Sequence, residues 1–96
     1  MSLLESLLAK RSQLVATARR HGASNVRLFG SVVRGEETPS SDVDFLVDLD
    51  DDRGFGDYLA LAEELEALVG RKVDLVTSRG LSPFLRPQVE SEAMVL

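Results

Sequence analysis

Asn25-Val26-Arg27-Leu28-Phe29-Gly30-Ser31, followed after ten residues by Asp42-Val43-Asp44-Phe45-Leu46-Val47-Asp48-Leu49, decides how this chain is read. The first run is short and rich in β-branched and aromatic residues, which predicts a strand. It runs straight into Gly30-Ser31, where a glycine lets the backbone turn sharply and come close to a ligand. The second run is also a strand by residue type. Its alternation sends Val43, Phe45, Val47 and Leu49 to one side and Asp42, Asp44, Leu46 and Asp48 to the other. The first side is apolar and is expected to pack on helices. The second is acidic at its start.

Working outward, Val32-Val33-Arg34 suits a short helical turn before Gly35, and Glu36 to Ser41 reads as a loop in which Pro39 stops any helix. Upstream, Ser2-Leu3-Leu4-Glu5 has the spacing of a capping box. Leu4, Leu7, Leu8, Leu14, Val15 and Ala18 then recur at helical spacing, so a helix is expected over residues 3–21 with Gly22 as its C-cap. Downstream, Tyr58, Leu61, Ala62, Leu65, Leu68 and Val69 form a second helical stripe that ends at Gly70. Arg71 to Thr77 reads as a strand. Pro83 and Pro87 predict a turn and then a helix from about Pro87 to Glu92, with Ala93 to Leu96 as a final edge strand. The order is helix, strand, strand, helix, strand, short helix. That is an α/β (α+β) class, a small mixed sheet with helices on one face and the carboxylates on an open opposite face. Residues 1–96 are expected to form a single domain.

Composition narrows the function. Cysteine is absent, which removes disulfides and thiolate metal sites and fits a reducing cytoplasm. No apolar run approaches the roughly 20 residues of a membrane span, and no signal-peptide pattern stands at the N-terminus. A net charge of −5 argues against general binding to nucleic acid, which draws its affinity from basic faces. It fits a site that collects divalent cations, or a surface that meets a basic partner.

The chemistry lies in spacing. Asp42 and Asp44, two apart on a strand, sit roughly 7 Å apart on one face. Carboxylates so placed can bracket magnesium, a hard cation that takes oxygen ligands and substrate phosphates. Asp74, in Lys72-Val73-Asp74-Leu75-Val76, joins them if its strand is a neighbour, and can then accept or orient an attacking hydroxyl. Opposite, the N–H groups after Gly30, the Ser31 hydroxyl and the Arg34 guanidinium form a phosphate cradle. Taken singly, a D-x-D is most often a solvated strand end, a Gly-Ser a turn, and Arg34 and Asp74 surface charges. Their conjunction on one predicted surface is far rarer.

These segments carry a family resemblance. Gly30-Ser31, ten residues, then Asp42-Val43-Asp44 resembles the signature of the polymerase-β-type nucleotidyltransferase superfamily. Gly30-Ser31-Val32-Val33-Arg34-Gly35 and Ser41-Asp42-Val43-Asp44-Phe45 resemble its minimal nucleotidyltransferase branch. The resemblance implies a polymerase-β-like nucleotidyltransferase fold, with two magnesium ions on Asp42, Asp44 and Asp74 as metal-binding and catalytic acids. It implies ATP as substrate, with Gly30, Ser31 and Arg34 binding the nucleotide. It further implies an antitoxin that transfers AMP to a tyrosine hydroxyl of a HEPN toxin. The chain has no room for an acceptor-holding domain, so a partner protein is expected to present the acceptor. Two alternatives stand beside this: an antitoxin that acts by binding alone, and a nucleotidyltransferase that modifies an antibiotic.

The remaining residues read as structure. His21, the only histidine, sits at a helix end as a capping or surface residue. Tyr58 is expected to be half-buried packing, Phe84 and Leu85 a plug of the core with an exposed apolar knob for a partner as the alternative, and Asp50-Asp51-Asp52 a solvated turn. The first helix's apolar stripe is expected in the core, with an oligomer seam as the other use of part of it.

Overall fold

The computed structural model describes residues 2–96. The capping box forms as the sequence predicts: Glu5 N–H donates to Ser2 Oγ at 3.1 Å and Ser2 N–H to Glu5 Oε1 at 3.1 Å. The expected continuous helix, however, is two helices, α1 (Leu3–Ala9) and α2 (Arg11–Arg20). The chain bends at Lys10, whose N–H bonds Leu7 O at 3.0 Å and whose Nζ donates to Leu68 O at 2.7 Å. That second bond spans the fold, and no local periodicity announces it.

After β1 (Ala23–Phe29) come the single turn α3 (Ser31–Arg34), β2 (Val43–Leu49), the long helix α4 (Phe55–Val69) and β3 (Val73–Thr77). A 3-10 turn (Ser78–Gly80), α5 (Arg86–Glu92) and β4 (Met94–Val95) complete the chain. The sheet order is β3-β2-β1-β4, with β1 antiparallel to β2 and β4, and β2 parallel to β3. The parallel pair needs a crossover, which α4 supplies. Tertiary pairing extends β1 back to Ala23, while β2 starts at Val43, so Asp42 stands just ahead of its strand.

The apolar face of β2 is buried as expected. Val43, Phe45 and Val47 have no exposed surface, and they pack with Leu28, Leu14, Leu61 and Leu65 from β1 and the helices. Each such side chain contributes roughly 1.5–3 kcal/mol through burial. The opposite face is less open than the sequence suggests. Leu46 is fully buried and Arg27 is 9% exposed, beside the Ser78–Gly80 turn that touches β2. A bulge between Ser24 and Arg27, with Asn25 at φ 51, shifts the register of β1 and sets Arg27 opposite Leu46. Arg27 Nη2 then reaches Asp48 Oδ1 and Ser78 Oγ, each at 2.9 Å.

β3 is an edge strand whose outward polar groups are partly taken. Val73 N–H donates to Glu66 Oε2 at 3.0 Å, and Tyr58 O–H donates to Leu75 O at 2.5 Å, both from α4. Phe84 is not a core plug: it is 94% exposed, and Leu85 is 53% exposed. Their loop closes on itself through Leu85 N–H to Ser82 O and Phe84 N–H to Ser82 Oγ, which carries both side chains outward. His21 does cap a helix end, and its ring also pairs with Glu64 of α4.

Candidate active site

Strand register brings the predicted acids together. Asp44 on β2 stands directly beside Asp74 on β3, and Phe29, the residue before Gly30, stands opposite Asp44 on β1. One row across the sheet therefore carries Asp74, Asp44 and the entrance to the Gly-Ser turn. Asp42 stands two residues before Asp44, just ahead of β2, and its charge is felt at Asp44.

Gly30 fits this arrangement for a steric reason. Its φ of 79° and ψ of −153° lie where only glycine is at ease. A Cβ placed there would overlap Asp44 Oδ2 and lie 3.1 Å from Asp44 Cγ. The Asp44 carboxylate is thus packed against the bare Cα of the turn. From Gly30 the chain enters α3, where Val33 N–H and Arg34 N–H bond back to Gly30 O at 3.1 and 3.2 Å. Val32 is buried and anchors the turn, while Ser31 is half-buried and Arg34 exposed.

The acids feel one another. Burial first, then the charges of Asp74 and Asp42, push the Asp44 carboxyl up to about 6, with Arg34 pulling the other way. An all-carboxylate set with so little positive charge nearby suits a hard divalent cation in donor type. Among the described residues, though, no three acidic or histidine side chains converge into a formed metal cluster.

The loop into Asp42 is tethered by a residue that sequence reasoning passed over. Arg71 Nη1 donates to Thr38 O at 2.8 Å and to Ser41 O at 3.2 Å. Within the loop, Thr38 N–H donates to Ser41 Oγ at 2.8 Å and Ser41 N–H to Thr38 O at 3.0 Å. Val43 N–H then bonds Lys72 O at 3.0 Å, which locks β2 to β3 where the acids stand. Glu92 was also missed. Its carboxylate accepts from Gly30 N–H and from Arg34, across 62 and 58 residues of chain, separations at which no sequence motif operates.

Two concave regions lie at the far end of β2 and β3. A cleft of about 390 Å³ is lined by Asp48, Asp50, Asp51, Thr77, Ser78 and Arg79, among others. A mostly apolar groove of about 600 Å³ involves Phe55, Tyr58 and Leu75. Neither includes Gly30, Ser31, Arg34, Asp42, Asp44 or Asp74. No helix among the described residues is long and apolar enough to cross a membrane.

The sequence profile of the nucleotidyltransferase domain matches residues 11–96. The protein adenylyltransferase MntA of Thermococcus cleftensis is 36% identical over 91 residues, covering 95% of this chain and 90% of that protein. A solved structure assigned as a minimal nucleotidyltransferase superposes with a TM-score of 0.89 at 47% identity, over 100% of this chain and 97% of that one. A toxin–antitoxin crystal structure with AMP-PNP gives a TM-score of 0.74 at 27% identity, over 88% and 69%. The acids and the Gly-Ser turn that share one side of the sheet are therefore set in a fold common to these proteins, and the chain belongs to the nucleotidyltransferase-domain family.

Proposed function

We propose that this protein is a protein adenylyltransferase and antitoxin, which moves AMP from ATP to a tyrosine hydroxyl of a HEPN toxin in the cytoplasm. The observation that carries the reading is the register of Asp44 beside Asp74, with Gly30 packed on Asp44. Asp44, Asp74 and the Gly30 turn lie close together there, which supports reading them as one site. The likeness to MntA and to a toxin–antitoxin structure holding AMP-PNP supports the direction of the chemistry.

In this reading the residues divide the work. The Ser31 hydroxyl, the N–H groups of the turn and the Arg34 guanidinium hold the triphosphate and orient its α-phosphorus. Asp74, exposed on its edge strand, accepts the proton of the incoming hydroxyl. The hydroxyl oxygen forms a bond to the α-phosphorus, the bond from that phosphorus to the bridging oxygen breaks, and pyrophosphate leaves. Asp42, Asp44 and Asp74 would hold magnesium, which when bound neutralises charge on the attacking and leaving oxygens. With the acids on a sheet face, the acceptor is presented by a second protein. The partner's surface, rather than this chain, then excludes water.

The test is to purify the chain with the helical toxin that accompanies it, add ATP and magnesium, and weigh the toxin by mass spectrometry. A gain of AMP on a toxin tyrosine, abolished by Asp42→Asn with Asp44→Asn, is the expected result. Inhibition of the toxin that needs neither ATP nor these acids would overturn the catalytic reading.

A further inference from the structure

Glu92 closes α5, and its carboxylate rests on donors that the proposed reading assigns to phosphate. Its Oε1 accepts the Gly30 N–H at 2.9 Å and an Arg34 Nη1 hydrogen at 3.0 Å, and its Oε2 lies 3.2 Å from the same Nη1. The Glu92 side chain is 24% exposed, while Arg34 also gives its Nε to Glu36 Oε1 at 2.7 Å. A backbone N–H and a guanidinium converging on one anionic oxygen are what a phosphate oxygen also seeks. The two anions compete for the same hydrogens, and a phosphate seated beside an undisplaced Glu92 would meet its charge at close range.

We propose that Glu92 is a built-in competitor for the phosphate position, which holds Gly30 and Arg34 while no nucleotide is bound and leaves when a triphosphate arrives. The inference rests on the reading of Gly30, Ser31 and Arg34 as phosphate donors. The surrounding chain is built lightly enough to let the side chain go. α5 has seven residues and buries none, and β4, two residues beyond Glu92, makes only two register pairs with β1. Glu92 therefore tunes affinity: it keeps the turn and Arg34 ordered in the empty protein at the cost of weaker nucleotide binding.

The experiment uses the intact chain. Magnesium with AMP-PNP and, separately, inorganic tripolyphosphate are titrated by calorimetry into the wild type, Glu92→Gln and Arg34→Ala. Glutamine keeps the length and one acceptor oxygen for Gly30 N–H but removes the charge. Glu92→Gln is expected to bind both anions about three- to tenfold more tightly, and Arg34→Ala more weakly. A damaged fold cannot produce tighter binding, and Glu92→Ala carries the same expectation should Glu92→Gln be unstable. If Arg34→Ala weakens binding while Glu92→Gln binds equally or less well, the competitor role is overturned and the phosphate reading survives. If the wild type binds neither anion, or Arg34→Ala changes nothing, both fall.

Discussion

Replacing Asp44 by asparagine should make the metal-free protein more stable at neutral pH, although it removes an acid that the proposed reaction uses. The Asp44 carboxyl is raised from an ordinary 3.8 to about 6, chiefly by burial and then by Asp74 and Asp42. A carboxyl raised in the folded state favours folding while protonated and opposes it once ionised. The penalty is absent below about pH 4, grows through the interval up to about 6, and is complete above it. Two units correspond to roughly 3 kcal/mol at full strength. Asp44 is only half-buried, so solvent screening reduces this to roughly 1–2 kcal/mol. For a chain of this size that is about 5–10 °C in Tm. The assay is thermal unfolding followed by circular dichroism, in chelator, at pH 4 and pH 8. Asp44→Asn should melt higher than wild type at pH 8, and the gap should close at pH 4. A variant that melts at or below wild type at pH 8, or a gap independent of pH, would refute the picture of mutually repelling acids.

Gly30→Ala should cost roughly 1–3 kcal/mol for its backbone conformation alone and also dislodge Asp44. Gly35→Ala, at φ 71 with nothing within 4 Å of the new Cβ, should cost only about 1 kcal/mol. Paired melting and AMP-transfer assays should therefore separate the two, with activity lost in the first and kept in the second. Arg71→Ala frees the loop that carries Ser41 into Asp42, and should lower the rate of transfer more than it lowers Tm. Equal rates in Arg71→Ala and wild type would show that the tether is dispensable.

Local chemistry announced much of this protein. The Ser2 box, the α4 stripe ending at Gly70, and the alternation of β2 are written in runs of neighbouring residues, and the structure contains all three. That Asp44 and Asp74 stand side by side needed one assumption beyond that, that their strands adjoin, and the parallel register supplies it, while Asp42 lies just ahead of β2. What escaped was decided across the fold. Lys10 bends the first helix toward Leu68, a bulge at Asn25 buries Arg27 against Asp48 and Ser78, and Glu92 returns to Gly30. Phe84 misled because apolar bulk argues for burial. The core formed by Phe45 and its neighbours is filled without it, and the Ser82 turn satisfies its own hydrogen bonds outside.

The side chains of Tyr58 and Glu66 have a consequence beyond holding α4 in place. By occupying Leu75 O and Val73 N–H, they deny a foreign strand the ladder it would need to add itself beside Asp74. Copies of the protein are thereby discouraged from zipping together along that margin, a common route to aggregation for small sheets. A macromolecule that reaches Asp74 is steered toward the broad surface of the sheet, where it meets shape and side chains, because part of the edge's backbone complementarity is already taken.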